Sequence, residues 1–538
     1  MKKLLSYALS ALMCLSLLTG CGSSSSADVK VAVGGDTADL DPAIVDDSIT
    51  ANVLNQCYEG LYKLDKEGNV VTSLATDMPE ISADGLTYTI KFNSKAKWSN
   101  GKKVKASDFV YAWKRAVSLG MGTAYYSTFI SNYIAGATDG TKIADLKDFG
   151  AKAIDDNTIQ ITLKAKCDYF TKLLTSTVFY PVNEAYVSKH GETKSTWGNK
   201  DDVPYNGAFK VTSVNTKSKI EMEKNDQYYD KKEVKLNSLE FQVMSDMDSE
   251  TSAFQSGEID FATSVNNDTV ESSKSLKKNV YLIDPFVCNY YILINSGDEN
   301  TNKALKDVDI RNALSLAVDR SDVLKALGYG DNASELNGFI PKGIPGANGD
   351  FRTEQDAVKK LAYSDLNEAK TIMASKGYSD SNMLKLTYTY NDNTMHKNVA
   401  TALQQELKKA YIDLKVVSSE KEAFFAARDK GDFELCRHAM TADYMDPMTY
   451  LSMYYGKDLA GNTVDDDKYE ALITEAEALS GTERMNKLHE AENYLVGTQH
   501  YLIPLFSYSE KILKNPKLTG VTSSPEGHWD LTRASLKD

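Results

Sequence analysis

From about residue 300 the chain alternates between two hydrophobic periods, and this alternation restricts its fold more than any other feature. Residues 384–390, 414–417 and 433–435 read as short strands. Among them, 397–410 sets Val399, Leu403 and Leu407 on one helical face, and 310–327 reads as a helix with Ile310, Leu314, Ala317 and Leu324 together. Helices alternating with strands predict a predominantly parallel α/β sheet.

The preceding half is built differently. Residues 29–33 alternate as a strand, run into Gly34-Gly35 and an aspartate-rich loop, and continue as a helix to about Tyr58. An α+β unit follows: a strand over 87–92, a turn at Asn100-Gly101, a helix capped by Ser107 that carries Phe109, Val110, Trp113 and Val117, a strand over 158–163 and a buried helix starting at 170–174. A hairpin of 209–211 and 220–222 and a strand over 239–243 then return the chain to β structure. At 538 residues, with 42% hydrophobic and 25% charged residues, it holds several domains with cores of their own. No fixed repeat exists, and Ser23–Ser26 is the one low-complexity tract, which argues against solenoids and propellers. The formal charge of −14 repels phosphate backbones, so a nucleic-acid partner is not expected.

Lys2-Lys3 followed by an apolar stretch from Leu4 to Leu18 reads as an export signal, too short and too Ser-interrupted to span a bilayer. Small residues precede Cys21, and Gly22-Ser23-Ser24-Ser25-Ser26 follow it. This context resembles a bacterial lipobox, in which the thiol is lipidated and becomes the first mature residue; ordinary signal cleavage beside an incidental cysteine is the other reading. Four further cysteines, at 57, 167, 288 and 436, are too few and too scattered for a disulfide scaffold, and spacing does not decide whether any two meet.

Catalytic templates do not fit. There is no G-x-S-x-G elbow, no H-E-x-x-H pair and no phosphate loop, and the six histidines form no i, i+4 pair. Asp465-Asp466-Asp467 lacks the spaced loop and glycine of a calcium site and reads as a solvated turn. These residues leave open a site assembled across space.

An ordered set of segments carries a resemblance over nearly the whole mature chain: Leu40-Asp41-Pro42, Tyr58-Glu59-Gly60-Leu61, Lys97-Trp98-Ser99-Asn100-Gly101, Asn206-Gly207-Ala208-Phe209, Ser256-Gly257-Glu258-Ile259-Asp260, Ile310-Arg311-Asn312-Ala313-Leu314 and Ala442-Asp443-Tyr444-Met445-Asp446-Pro447. Together they resemble solute-binding protein family 5 of ABC importers, the oligopeptide-binding lipoprotein type. The resemblance implies an α/β, two-lobed periplasmic-binding-protein-like fold (type II, cluster C) with an extra α+β domain inserted in the first lobe. It implies a signal peptide at 1–20, the lipidated Cys21 and tether at 21–27, lobe I from 28–58, 185–287 and 505–538, the inserted domain at 59–184 and lobe III at 288–504. It further implies a monomer, lipid-anchored to the outer face of the bacterial cell membrane, that captures oligopeptides and delivers them to permease subunits with cytoplasmic ATPases. On the strength of this resemblance no enzymatic activity, metal or cofactor is expected. Dipeptide, peptide pheromone, nickel chelate, haem and sugar are the alternative cargoes within the fold; an exported hydrolase, adhesin or chaperone is the alternative outside it.

A receptor for peptides of many sequences must grip the α-ammonium, the main-chain amides and the α-carboxylate, and tolerate side chains. By resemblance Asp443 pairs with the α-ammonium, whereas on its own the residue reads as a turn or capping aspartate. Arg437 and His396 match positions that meet the C-terminal carboxylate, the guanidinium by a bidentate grip and the imidazole by a weaker, pH-dependent one; a surface ion pair and an exposed helix start are the plainer readings. Tyr290, Tyr291, Met440 and Thr441 line the cleft in the same comparison, with strand alternation sending the two tyrosines to opposite faces. Met440 stands where relatives carry Trp, and Thr441 where some carry a cysteine able to pair with the one matching Cys288, so that disulfide is absent here. Asp46 and Ser48 match a loop bordering the ligand and read equally as surface loop.

Overall fold

The computed structural model describes residues 27–37, 39–45, 47–118, 125–138, 140, 142–193, 197–297, 301–354, 361–456 and 463–537. Cys21 and Asp46 lie outside them. Two large sheets and one small one organise these residues. The first has seven strands in the order Val280–Ile283, Glu510–Lys514, Phe261–Ala262, Val29–Val33, Ser238–Val243, Lys219–Lys224 and Phe209–Asn215. Val29–Val33 is parallel to both neighbours, and its burial on both faces explains why nearly every residue of VKVAV is apolar.

The small sheet, Glu80–Ile81, Thr87–Lys91, Thr158–Thr162 and Ala151–Asp155, is antiparallel throughout. The helix Ala106–Ala116 packs on it through Phe109 and Trp113. Ser107 is not its cap, as the sequence had suggested. The cap position falls two residues earlier, at Lys105, because the Asp108 carboxylate accepts from the Lys105 backbone N–H (2.9 Å) and the Trp98 indole N–H (3.0 Å).

The second large sheet runs Ala333–Glu335, Leu502–Tyr508, Cys288–Ile294, Leu435–Thr441, Leu384–Asn391 and Ile412–Ser419. Only the last two junctions are parallel, which corrects the expectation of a predominantly parallel sheet. Parallel pairing needs a crossover, and the helices Thr394–Lys409 and Lys421–Asp429 supply it for the last three strands of this order; Cys288–Ile294 arrives through the junction with the first sheet, and Ala333–Glu335 and Leu502–Tyr508 after helices of their own. Residues 310–327 are likewise two helices, Val308–Ala317 and Arg320–Leu327. The chain breaks at Val318, Asp319 caps the second helix through the Ser321 N–H (2.9 Å), and Val323 and Leu327 are buried in the core with Leu324 half-buried against it.

Two crossings connect the large sheets, between Ile283 and Cys288 and between Tyr508 and Glu510. The Ser509 hydroxyl donates to the Asp284 carboxylate (3.3 Å) and ties them side by side. Residues 505–508, expected in lobe I, instead belong to the six-stranded sheet, because Phe506 continues its ladder opposite Tyr290 and Glu335. Lobe and inserted domain are joined by a buried ion pair: Arg115 of the Ala106–Ala116 helix grips Asp41 in two parallel bonds of 2.9 and 2.6 Å, with neither side chain reaching solvent.

Candidate functional site

A cavity of about 640 Å³ lies between the two large sheets and the loops of the inserted domain. Its walls come from the start of the Ser48–Cys57 helix, the Tyr126 segment of the inserted domain, Thr441–Asp443 at the end of a strand of the second sheet, and the C-terminal loop around Glu526. Ser48 sits on this wall at the first turn of its helix, which Asp47 caps by accepting from the Thr50 N–H (2.7 Å).

Asp443 is placed by bonds on both sides. The Ala442 N–H donates to the Val287 carbonyl (2.9 Å) and the Asp443 N–H to the Thr449 hydroxyl (3.1 Å), which carries the chain out of the strand. The carboxylate faces the cavity and accepts from the Tyr126 hydroxyl (3.0 Å), a contact between the second lobe and the inserted domain. Just beyond, Tyr444 stacks on Tyr169 with ring centres 5.3 Å apart and meets Phe129 edge-on. Asp446 is clamped by Arg484 at 2.6 and 3.1 Å and reached by Lys172 at 3.5 Å; although burial opposes the charge, these cations hold its carboxyl below the ordinary range.

The strand leading to Asp443 has an open side. Leu435–Thr441 pairs along its whole length with Cys288–Ile294, but on its other side Leu384–Asn391 meets only Leu435 and Cys436. Main-chain groups from Arg437 to Thr441 therefore have a ladder partner on one side among the described pairings. Thr441 lies directly opposite Cys288, the two positions that the resemblance had joined. Cys57, Cys167, Cys288 and Cys436 are buried thiols.

Arg437, His396, Tyr290, Tyr291 and Met440 do not line the cavity. Arg437 lies four positions before Thr441, about 13 Å along a strand. Arg437 donates to Asn391 Oδ1 from Nε (2.7 Å) and from Nη2, and lies over the Phe424 and Phe425 rings at 5.0 and 5.1 Å. His396 Nδ1 is 3.1 Å from the Tyr290 hydroxyl, and Tyr290 stacks on Phe506. Tyr291 points the other way, bonding the Tyr454 hydroxyl at 2.6 Å; both tyrosines are enclosed. Met440 is half-buried beside the larger core.

Comparison with known proteins follows from this geometry. Residues 69–462 match the family model described as bacterial extracellular solute-binding proteins, family 5 middle. The chain belongs to that family. This family 5 protein is 30% identical over the full length of both chains to a dipeptide-binding protein of Lactococcus lactis, and 31% identical to the dipeptide-binding protein DppE of Bacillus subtilis over 91% of this chain and 89% of that one. Its fold is similar to that of Listeria monocytogenes OppA bound to peptide, with a TM-score of 0.76 at 24% identity over 96% of this chain and all of that one. The two-lobed architecture is thus that of the family, whose members are solute-binding proteins.

At His396 the electrostatics of this family 5 protein differ from the sequence expectation. Burial, with the Arg437 charge nearby, pushes its imidazole down to about 3, so it is neutral in this arrangement and does not grip as a cation between pH 5 and 8. The same holds for His438, pushed down to about 3 by burial and by Arg428. A histidine with a folded-state pKa below its unfolded value near 6.5 disfavours folding as pH falls through 6.5 toward 3, since the unfolded chain binds the proton first. In an NMR titration of the ligand-free protein the His396 ring resonances are expected to stay constant from pH 8 to 5; a midpoint near 6.5 would contradict its enclosure.

Sequence reasoning missed Tyr126, Glu510, Glu526 and His528, all on the cavity wall. No local pattern marks them. They reach the site through chain reversals that join residues hundreds of positions apart. Asp465–Asp467 also proves less bland than a solvated turn: Asp466 caps the Asp467–Ala478 helix and accepts from the Tyr494 and Tyr501 hydroxyls.

Proposed function

We propose that the protein captures oligopeptides between its two lobes. The observation that carries this reading is the open side of the strand from Arg437 to Thr441, ending at the Asp443 carboxylate on the wall of the cavity. An extended peptide laid along that edge pairs its N–H and C=O groups with the strand, in the manner of an added strand, and brings its α-ammonium to Asp443. Such pairing reads no side chain. Arg437, enclosed and bonded to Asn391, takes the α-carboxylate of a longer peptide only by exchanging that bond, and His396 and Tyr290 beside it are bonded to each other.

In this reading the ligand stabilises closure because it touches both lobes and the inserted domain, and the closed pair of lobe surfaces is what a permease with cytoplasmic ATPase subunits receives. Lipidation at Cys21 and the serine tether hold the monomer at the outer face of the membrane. No chemistry is performed on the cargo.

Native mass spectrometry of freshly purified protein is expected to show a ladder of added masses that denaturation releases as intact peptides. Release of a single non-peptidic compound would refute the assignment, and cleavage of added peptides would point to an enzyme.

A further inference from the structure

We infer that the cavity selects peptides carrying a lysine or arginine side chain within their first two residues, with Glu526 and Glu510 receiving the cationic head. The inference rests on the peptide reading above and concerns a subsite beyond the α-ammonium position. Two cations line the cavity among the described residues, and both are engaged: Lys63 with Asp530 at 3.1 Å, and Arg533 with Asp230 at 2.5 Å and Glu233 at 3.5 Å. Of the acids, Glu59 accepts through Oε1 from the Ser73 hydroxyl (2.8 Å) and the Tyr229 hydroxyl (3.0 Å), while its Oε2 meets no donor. Glu526 and Glu510 have no such partner. Glu526 is 8% exposed and its Oε1 meets no donor; Glu510 Oε2 and the Ser524 hydroxyl on the same wall are enclosed and equally without one.

Stability of the fold does not account for this arrangement, because a buried carboxyl without a donor or a cation opposes folding. Burial pushes Glu510 up to about 7, and burial together with the negative charge of Asp443 raises Glu526 well above the ordinary range. His528, beside them, is pushed down to about 4 and supplies no compensating charge. Both lining cations being engaged elsewhere, the lysine ammonium of a ligand, compact and with three donors on a flexible stem, suits two carboxyls and a hydroxyl. Because Glu526 and Asp443 line the same cavity, a peptide anchored at Asp443 by its α-ammonium brings the side chains of its first residues into the space that Glu526 faces.

The test is calorimetric titration of the full chain with trialanine derivatives in which lysine or norleucine, similar in length and differing in charge, occupies position 1, 2 or 3. The expected result is that lysine at position 1 or 2 binds about tenfold tighter than norleucine, the scale of one charge-assisted hydrogen bond. Glu526→Gln or Glu510→Gln should lower that ratio. A ratio near one at positions 1 and 2, a preference confined to position 3, or a ratio unchanged in both variants would overturn the inference. Neutral peptides that bind without any lysine preference would leave the peptide reading standing and sink this inference alone, whereas no binding by any member of the series would sink both. The wild-type scan decides the matter even where a variant folds poorly.

Discussion

Arg115→Met is expected to destabilise the protein by about 3–5 kcal/mol, because it strands the Asp41 carboxylate in a site with no access to water. The guanidinium does more than balance that charge. It donates through Nε to the carbonyls of Gly191 (3.3 Å) and Glu192 (3.2 Å), and lies over the Trp197 ring at 5.5 Å, so one side chain joins the N-terminal loop, the inserted domain and the segment returning to the first lobe. Desolvation of both charges has already been incurred in the native state, so the loss of one partner is felt in full. Replacing both, as Arg115→Met with Asp41→Leu, should recover much of the loss, since no unpaired charge remains. Lys66→Ala, which removes an exposed pair with Glu67, should change stability by less than about 0.5 kcal/mol. Urea unfolding followed by circular dichroism compares the three; equal midpoints for Arg115→Met and Lys66→Ala would refute the role assigned to the pair.

The sequence made local structure legible wherever one period dominated a whole element. Val29–Val33, Thr158–Thr162 and the Thr394–Lys409 helix appear where alternation or a single apolar face placed them. It failed where a tertiary partner overrode the pattern. The apolar residues over 310–327 fit one helix, yet a capping aspartate at 319 and the demand of Arg320 for the Pro504 carbonyl (2.7 Å) divide it in two. Sheet direction was misjudged for a similar reason. Helices between strands announce parallel neighbours, but nothing near Cys288–Ile294 or Leu502–Tyr508 reveals that each pairs antiparallel with a strand far away in the chain.

For the site, the motif around Asp443 carried a residue that the fold does bring to the cavity, together with Thr441 and Ser48. Arg437, His396, Tyr290, Tyr291 and Met440 lie elsewhere in the second lobe: Arg437 is bonded to Asn391, His396 to Tyr290 and Tyr291 to Tyr454, and Met440 is half-buried against the core. Glu510 and Glu526 could not be read from sequence at all: isolated glutamates in a C-terminal stretch look like surface, and only the closure of the chain onto the Ser48–Cys57 helix buries them. Asn52, which bonds Gly527 and Trp529, is the residue that makes that closure visible in the structure.

Asp443→Asn is expected to weaken binding of unblocked peptides by about 10- to 100-fold, the worth of a charge-assisted hydrogen bond in an enclosed site. Asparagine keeps the size and can still accept from the Tyr126 hydroxyl, so the loss isolates the charge rather than the shape. Peptides without an α-ammonium already lack that interaction and should be nearly indifferent to the substitution. Calorimetry with one tetrapeptide, its amino terminus free or acetylated, titrated into wild-type protein and Asp443→Asn, brings both statements into a single cycle. The account predicts that acetylation weakens wild-type binding strongly and the variant only slightly; equal effects of acetylation on the two proteins would show that Asp443 does not hold the peptide's amino end.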